Sequence, residues 1–547
     1  MGKGVFMKKN VSRRDFLRTS ALVPSLVLPV STHLKPILAW LLQTQSKAQS
    51  ADQVARIGGL TGSMSDLRTA VPTPTNIPPL AQSKPPADID LNRMAAWAMN
   101  YLIRTPRKDL GYEPVFQCHP YACPPIPAGQ DPVVACDTDA RMDWEWYYMR
   151  EITGTTAGKE VETAFHKRMR EYIAPDGKVW SHPGSFNEAN ISARYTKADF
   201  VVHIWGATKI LNSLAEDYVR TGNPGSKLLA RKVMLALRSL ATADRQGRAW
   251  FAGGMGAWKD GKWIDNGWNA QPAPIVKPLV RYWQATGDEE GLAFARAYAE
   301  GIIHNCQPGG IRFQPDGSFN GHSHATLHAV WGVAELGIAI SEPRYVTFAK
   351  RVWDWMLTQG TGTGWFPAAP QWADNCNETC CLSDMISLAT LLARSGRTEY
   401  FDPVERYLRN YISNLQFIIT PEFVEYYTDR NKVKGEDLEE CLGILRRFQG
   451  GVIGGSGLND YHNELLGGVS GFEMFGCCAP EGMRAIYTTW TNVIGKYPLS
   501  GLGPAGVYVN LSFNRESPWG QVVSFFPEKG RLTVKANLAD TFFLHLS

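Results

Sequence analysis

One phrase recurs along this chain. A helical run ends in Thr-Gly or Ser-Gly, and a second helical run begins at once. It occurs as MREITG ending at Gly154, DYVRTGN with Gly222, YWQATGD with Gly287 and LLARSG ending at Gly396. Glycine in that place reads as a helix C-cap, because a positive φ costs it little. Successive spacings are 68, 65 and 109 residues, the last close to two units. Helix pairs repeating at such a period bury their faces by stacking on their neighbours, either as an open solenoid or as an array closed on itself. The closed form, an (α/α) barrel whose inner helices converge on one cavity, is the fold expected for residues 88–500 of this mainly α chain.

The C-terminal 501–547 changes period. GVYVNLSF alternates, with Val507, Val509, Leu511 and Phe513 on one face. QVVSFF, RLTVKA and TFFLHL follow, and together these read as four short strands of a small antiparallel sheet. A sheet that small needs a partner surface, which the barrel would supply.

The N-terminus reads as an address. Arg13 and Arg14 precede Phe16, Leu17 and an apolar run, which resembles a twin-arginine export signal. Ala48, Gln49 and Ser50 suit cleavage before Ala51, so residues 1–50 are expected to be the signal and 51–87, rich in proline, an extended arm. Such a signal places the mature protein in the periplasm or outside the cell. The route carries folded proteins, so a metal could be loaded before export. Lys+Arg minus Asp+Glu is 56 − 52 = +4, but residues 1–50 hold eight Lys/Arg and one Asp, leaving 48 − 51 = −3 for the body. A nucleic-acid binder wants a basic body, so that partner is excluded. No later stretch holds 18 apolar residues in a row, so no membrane partner is expected after signal removal. The 18 Trp keep carbohydrate in view, because aromatic faces stack on sugar rings.

The ten cysteines are unevenly placed. Cys376, Cys380 and Cys381 form one knot in NCNETCC, and Cys477 and Cys478 another in GCCAP. An exported protein favours disulfides by default. Adjacent cysteines seldom bond to each other, however, and two neighbouring thiolates can share one soft cation. Zinc takes four ligands from Cys, His and carboxylate. Glu378 and Cys380, just before the helix SDMISLATLLARSG, could supply two, and Cys477 and Cys478 the others. Spacing alone leaves zinc, disulfides and buried free thiols all open.

At this point the chain resembles glycoside hydrolase family 127, the β-L-arabinofuranosidases. HATLHAVWGVAELGI with PRYVTFAKRVWDWM is similar to that family's histidine-bearing inner helix and its successor. NETCCLSDMISLATLLARSGRTEYFDPVERYLRN is similar to its Glu-x-Cys segment, GCCAPEGMRAIYTTW to its double-cysteine segment, and GVYVNLSF to the first strand of its sandwich. The match spans roughly residues 250–545. The resemblance implies an α/α barrel with β-sandwich, and a Zn²⁺ held by Glu378, Cys380, Cys477 and Cys478. It implies Cys477 as the nucleophile of retaining hydrolysis, releasing a β-L-arabinofuranose-like sugar from a glycan. It also places His324 along the sugar pocket, where His322 and Trp365 are counted as further substrate contacts.

The departures matter. The family's acid/base glutamate lies sixteen residues before the Glu of Glu-x-Cys, and position 362 here is Gly. A glycosidase still needs an acid for the leaving group. Asp374 and Glu473 are the candidates, although Asp374 could equally cap the next segment and Glu473 lie at the surface. Cys381 adds a third thiol to its knot. His324 and His328 have the spacing of a zinc-peptidase helix, but Ala325 stands where that helix carries its base. In GGMGAWKDGKWIDNGWNAQ, which begins like a segment of the family, Trp258, Trp263 and Trp268 read equally as packing or as sugar platform. Two rival readings follow. A polysaccharide lyase or sugar epimerase on the same barrel would leave the four ligands scattered. A non-catalytic glycan-binding relative would have no acid near Cys477.

Overall fold

At two of its four occurrences the recurring phrase works as a double cap, whereas a short loop follows Gly154 and Ser395, not Gly396, is the C-cap of its helix. Gly222, at φ 70°, closes one helix, and the Asn223 side chain then accepts from Gly225 N to open the next. Gly287, at φ 72°, and Asp288 do the same one repeat later. With no residue between caps, each helix folds straight back on its predecessor. The computed structural model describes residues 89–545 apart from 115–116, 126, 129–134, 184–200, 253–256, 260–261, 265–271, 371–376, 456–473, 498–504 and 537–541. The chain divides into Met1–Ile57 and Gly58–Ser547, and every described residue belongs to the second unit. The expected export signal therefore lies outside the described residues.

The helices are α1 (Leu91–Arg104), α2 (Ala135–Thr153), α3 (Lys159–Glu171), α4 (Ile204–Thr221), α5 (Pro224–Leu240), α6 (Val276–Thr286) and α7 (Glu289–Ile303). They continue as α8 (Ser323–Ala339), α9 (Pro343–Leu357), α10 (Thr379–Arg394), α11 (Phe401–Tyr407), α12 (Pro421–Asn431), α13 (Gly435–Phe448) and α14 (Cys478–Val493). Helices α2, α4, α6, α8, α10 and α14 each pack on the next, and α14 packs back on α2, closing a ring. Helices α3, α5, α7, α9 and α11 each pack mainly on one inner helix, with α5, α7 and α9 also touching the next, and α1 lies over α2 and α14. This is the (α/α) barrel rather than the open solenoid.

Burial separates the two layers. In α8 every residue from Ser323 to Ala334 is buried, because an inner helix is enclosed on all sides. In α5 only Ser226, Ala230, Val233, Met234, Ala236 and Leu237 are buried, the single stripe of an outer helix. Close approach between inner helices has its own device. A Cβ on Gly206 of α4 would lie 2.1 Å from Cys136 Sγ of α2.

After α14 the chain turns to strands. They are β3 (Ile494–Tyr497), β4 (Gly506–Val509), β5 (Arg515–Ser517), β6 (Gly520–Ser524), β7 (Leu532–Ala536) and β8 (Phe542–Leu544); the barrel itself carries β1 (Gln117–Cys118) and β2 (Met474–Phe475). Four expected antiparallel strands become two three-stranded sheets, β3-β4-β8 and β5-β6-β7. The second is antiparallel throughout, but β8 runs parallel to β4. Two strands are extra: β5, and β3, which continues directly from α14. All four residues of β4 are buried, so the alternation read from its sequence does not leave one face wet. The partner surface is the barrel: Arg409 donates to Ser512 O at 2.6 Å, and Arg515 to Thr491 O at 2.8 Å.

Candidate metal centre

Three inner helices begin at one place. Glu378 is the N-cap of α10 with Cys380 in its first turn, Cys477 is the N-cap of α14 with Cys478 its first residue, and His322 is the N-cap of α8. Helix α10 starts at Thr379 and not near Ser383, as its sequence suggested, so Cys380 is helical. None of the three N-cap side chains caps its own helix. The Glu378 and Cys477 side chains are instead part of a cluster, and the N-terminal ends of α10 and α14 point partial positive charge at it.

Each arm is buttressed. Thr379, between the two donors of its segment, gives its N–H to Gly454 O at 2.8 Å and its hydroxyl to Ile453 O. The other arm leaves β2, where Met474 pairs with Cys118 of β1. Ser383 Oγ donates to Glu481 O at 2.5 Å and ties α10 to α14.

The ligand atoms of Glu378, Cys380, Cys477 and Cys478 all lie within 4.8 Å of one another. Sulfur separations are 3.3 Å for Cys380–Cys478 and 3.7 Å for Cys477–Cys478. A disulfide would require about 2.05 Å. A tetrahedral zinc with bonds of about 2.3 Å has sulfur–sulfur edges of about 3.8 Å. The donor set, soft sulfur with one carboxylate, and its spacing therefore fit zinc. No disulfide joins the described cysteines.

The electrostatics suit a cation. Hydrogen bonds from Cys380 and Cys478 hold the Cys477 thiol well below its ordinary range against the cost of burial, with Arg141 assisting. Burial pushes Cys380 and Cys478 the other way. Burial also opposes ionisation of Glu378, but His322, whose Nε2 donates to Glu378 Oε2 at 2.5 Å, holds that carboxyl down at about 2. Cys380 and Cys478 are fully buried, whereas Cys477 is half-buried.

Beneath the cluster lies a charged network that the sequence reading missed. Arg141 of α2 grips both oxygens of Asp137, at 3.1 and 3.0 Å, and Glu481 at 3.1 Å. It also donates to His324 Nε2 at 2.8 Å, so His324 Nδ1 carries the proton it gives to Asp384 at 2.6 Å. Arg484 holds the other oxygen of Asp384 at 2.7 Å. The atoms of His324, His328 and Asp384 also fall within 4.8 Å of one another. This second group does not suit a metal, because the Arg141 and Arg484 guanidiniums already occupy His324 Nε2 and one Asp384 oxygen, and His324 itself takes the other oxygen. Burial, with Arg141 nearby, brings Lys209 down to about 7, and burial keeps both histidines neutral. A stripe at helical spacing, Asp137, Arg141 and Glu145 on α2 with Glu481 and Arg484 on α14, could have revealed this network.

The structure thus brings together Glu378, Cys380, Cys477 and Cys478, with His322 beside them. His324 is 2% exposed and lies under the cluster; Trp365 is 4% exposed, in a segment whose Ala368 O accepts from Ser323 N. Cys381 Sγ reaches Glu378 Oε2 at 3.9 Å and stands behind the four. Gly362 lies in an exposed turn with open space about its Cα. Asp374, Glu473, Cys376, Trp268 and the side chains of Trp258 and Trp263 lie outside the described residues.

No family model matches the chain, and no curated protein does. Among solved structures it is similar to a D-mannose isomerase, with TM-score 0.46 and 12% identity over 73% of this chain and 96% of that one. It is similar to a glycoside hydrolase family 127 β-arabinofuranosidase, with TM-score 0.48 and 14% identity over 84% and 68% of the two chains. It is also similar to the family 127 β-L-arabinofuranosidase of Geobacillus stearothermophilus T6, with TM-score 0.45 and 13% identity over 81% and 67%. At these scores the likeness is loose, and the fold described above rests on the closed ring of inner helices.

Proposed function

We propose that this protein is a zinc-thiolate, retaining glycoside hydrolase acting on a terminal furanoside, of β-L-arabinofuranose type, in a glycan outside the cytoplasm. The observation that carries the reading is the convergence of one carboxylate and three sulfurs from two chain segments about a hundred residues apart, with one sulfur, that of Cys477, only half-buried. Glu378, Cys380, Cys477 and Cys478 would hold the ion. Bound zinc supplies Lewis acidity that keeps its thiols ionised at neutral pH.

The chain's own residues do the rest. Cys477, the half-buried thiol, attacks the anomeric carbon as the glycosidic oxygen takes a proton from a carboxylic acid, for which Asp374 and Glu473 are the proposed sources. Water, deprotonated by the same carboxylate, then displaces the Cys477 sulfur, and two inversions give net retention. His322 orients Glu378 and lies beside the site of attack. His324, wedged between Arg141 and Asp384, fixes the floor of the site. The scattered ligands expected of a lyase or epimerase are not what the four residues display.

The test is metal analysis of the purified protein together with turnover of aryl furanosides by the wild type and by Cys477→Ala. The reading expects about one zinc per chain and hydrolysis that Cys477→Ala abolishes. Hydrolysis that survives Cys477→Ala would end the mechanism. Sugar binding without turnover by the wild type would make the protein a glycan-binding relative.

A further inference from the structure

A second pair of distant cysteines meets away from the metal centre. Cys123 follows β1 and Cys441 lies on α13, 318 residues later, yet their sulfurs are 3.0 Å apart. Tyr427 of α12 donates its hydroxyl to Ala122 O at 2.5 Å, and Asn431 Nδ2 donates to Tyr121 O at 3.2 Å. The Tyr121 ring packs edge-on against Phe423 at 5.6 Å. Residues 121–123 are thus pinned to α12 and present Cys123 to Cys441.

The two sulfur sites differ in their company. At the metal centre three sulfurs and a carboxylate converge. Among the described residues, no third cysteine, histidine or carboxylate joins Cys123 and Cys441 at the same 4.8 Å spacing. Two donors do not make a zinc site, but two adjacent thiols make a cystine.

We propose that Cys123 and Cys441 form a disulfide once the protein meets an oxidising compartment. The half-buried Cys123 reacts first: its thiolate attacks the disulfide of a thiol–disulfide oxidant, releasing one thiolate and leaving a mixed disulfide. The Cys441 thiolate then attacks the Cys123 sulfur and releases the second. Overall two thiols lose two protons and two electrons, and the oxidant's disulfide is reduced to two thiols.

The bond would brace both arms of the metal centre. The strand before Cys123 pairs with β2, which leads to Cys477 and Cys478. Helix α13 leads from Cys441 to Ile453 and Gly454, which hold Thr379 between Glu378 and Cys380. The bond itself does not depend on the proposed activity; only its effect on the centre does, and the two are read separately.

The full-length protein is equilibrated with oxidised glutathione, denatured, alkylated with N-ethylmaleimide and mapped by peptide mass spectrometry. The expected product is a linked peptide carrying Cys123 and Cys441, two hydrogens lighter than its parts and lost on reduction. Both residues recovered fully alkylated after oxidation, or paired with other cysteines, would overturn the proposal. Closing so long a loop should also raise the thermal midpoint by on the order of 5 °C. A non-chelating phosphine reductant should remove that increment from the wild type and leave a Cys123→Ser/Cys441→Ser protein unmoved. A wild-type midpoint indifferent to reduction would overturn the bracing role, whatever the protein's activity.

Discussion

Replacing Cys380 by serine tests the proposed metal centre at one of its two fully buried thiols. Cys380 is fully buried, and its sulfur lies 3.3 Å from that of Cys478. Structural zinc sites bind with about 10–16 kcal/mol at neutral pH, so each of four ligands accounts for about 3 kcal/mol. At about 1.4 kcal/mol per tenfold, Cys380→Ser should weaken zinc binding by about 100-fold. Serine is nearly isosteric, and circular dichroism of the apo-protein would establish that the helices remain. The assay is competition for zinc against a chromophoric chelator. Cys478→Ser should fall with Cys380→Ser, since both are fully buried thiols at vertices of the same proposed tetrahedron, and Glu378→Gln should lose less because an amide oxygen can still serve as a ligand. Cys306→Ser, at a half-buried thiol beyond the end of α7, is the control and should bind as the wild type does. Equal affinity for Cys380→Ser and Cys306→Ser would refute the reasoning.

Three further outcomes follow from particular contacts. Thr379→Ala removes the hydroxyl that holds the Glu378 and Cys380 segment to Ile453 O, and zinc affinity should fall about 10-fold, as when partners that orient ligands are lost; isothermal titration would read it, and an unchanged affinity would separate the buttress from the centre. Gly206→Ala forces a methyl against Cys136 Sγ and should cost about 1–3 kcal/mol in urea unfolding, with Cys136→Ala restoring part of it; strictly additive effects would mean that the two helices do not meet there. Burial disfavours protonated His166, but the Asp143 carboxylate at 2.6 Å, with Glu162, raises its pKa from 6.5 to about 9. Its contribution to stability is therefore complete below about pH 6.5 and is lost as pH rises toward 9. His166→Gln should flatten the fall of the thermal midpoint across that window, and a slope equal to the wild type's would count against the pair.

Much of the barrel is readable because caps and periodicity are local. Gly222-Asn223 and Gly287-Asp288 announce their turns in two residues. The paired spacing of Glu378 with Cys380 and of Cys477 with Cys478 is also local, and it marks four possible donors; spacing left zinc, disulfides and free thiols open, and the family resemblance favoured zinc. The helix start at Thr379 was less readable, because β-branched and polar residues open it and its register is fixed from outside by Gly454 and Ile453. The Arg141 network was hidden for a related reason. Charged side chains in a helix ordinarily mark a wet face, and only ring closure turns Asp137, Arg141 and Glu145 inward.

By itself the sequence determined where helices end, how often they reverse, and which residues could offer ligands to a soft metal, since capping, hydrophobic period and ligand type belong to short stretches of chain. The tertiary structure decided which sulfurs meet. It set Cys477 and Cys478 against Glu378 and Cys380, put Cys381 behind them, and brought Cys123 to Cys441 across 318 residues. Such meetings depend on the angle and number of inner helices needed to close the ring, a property of the whole packed assembly that no local run of residues encodes.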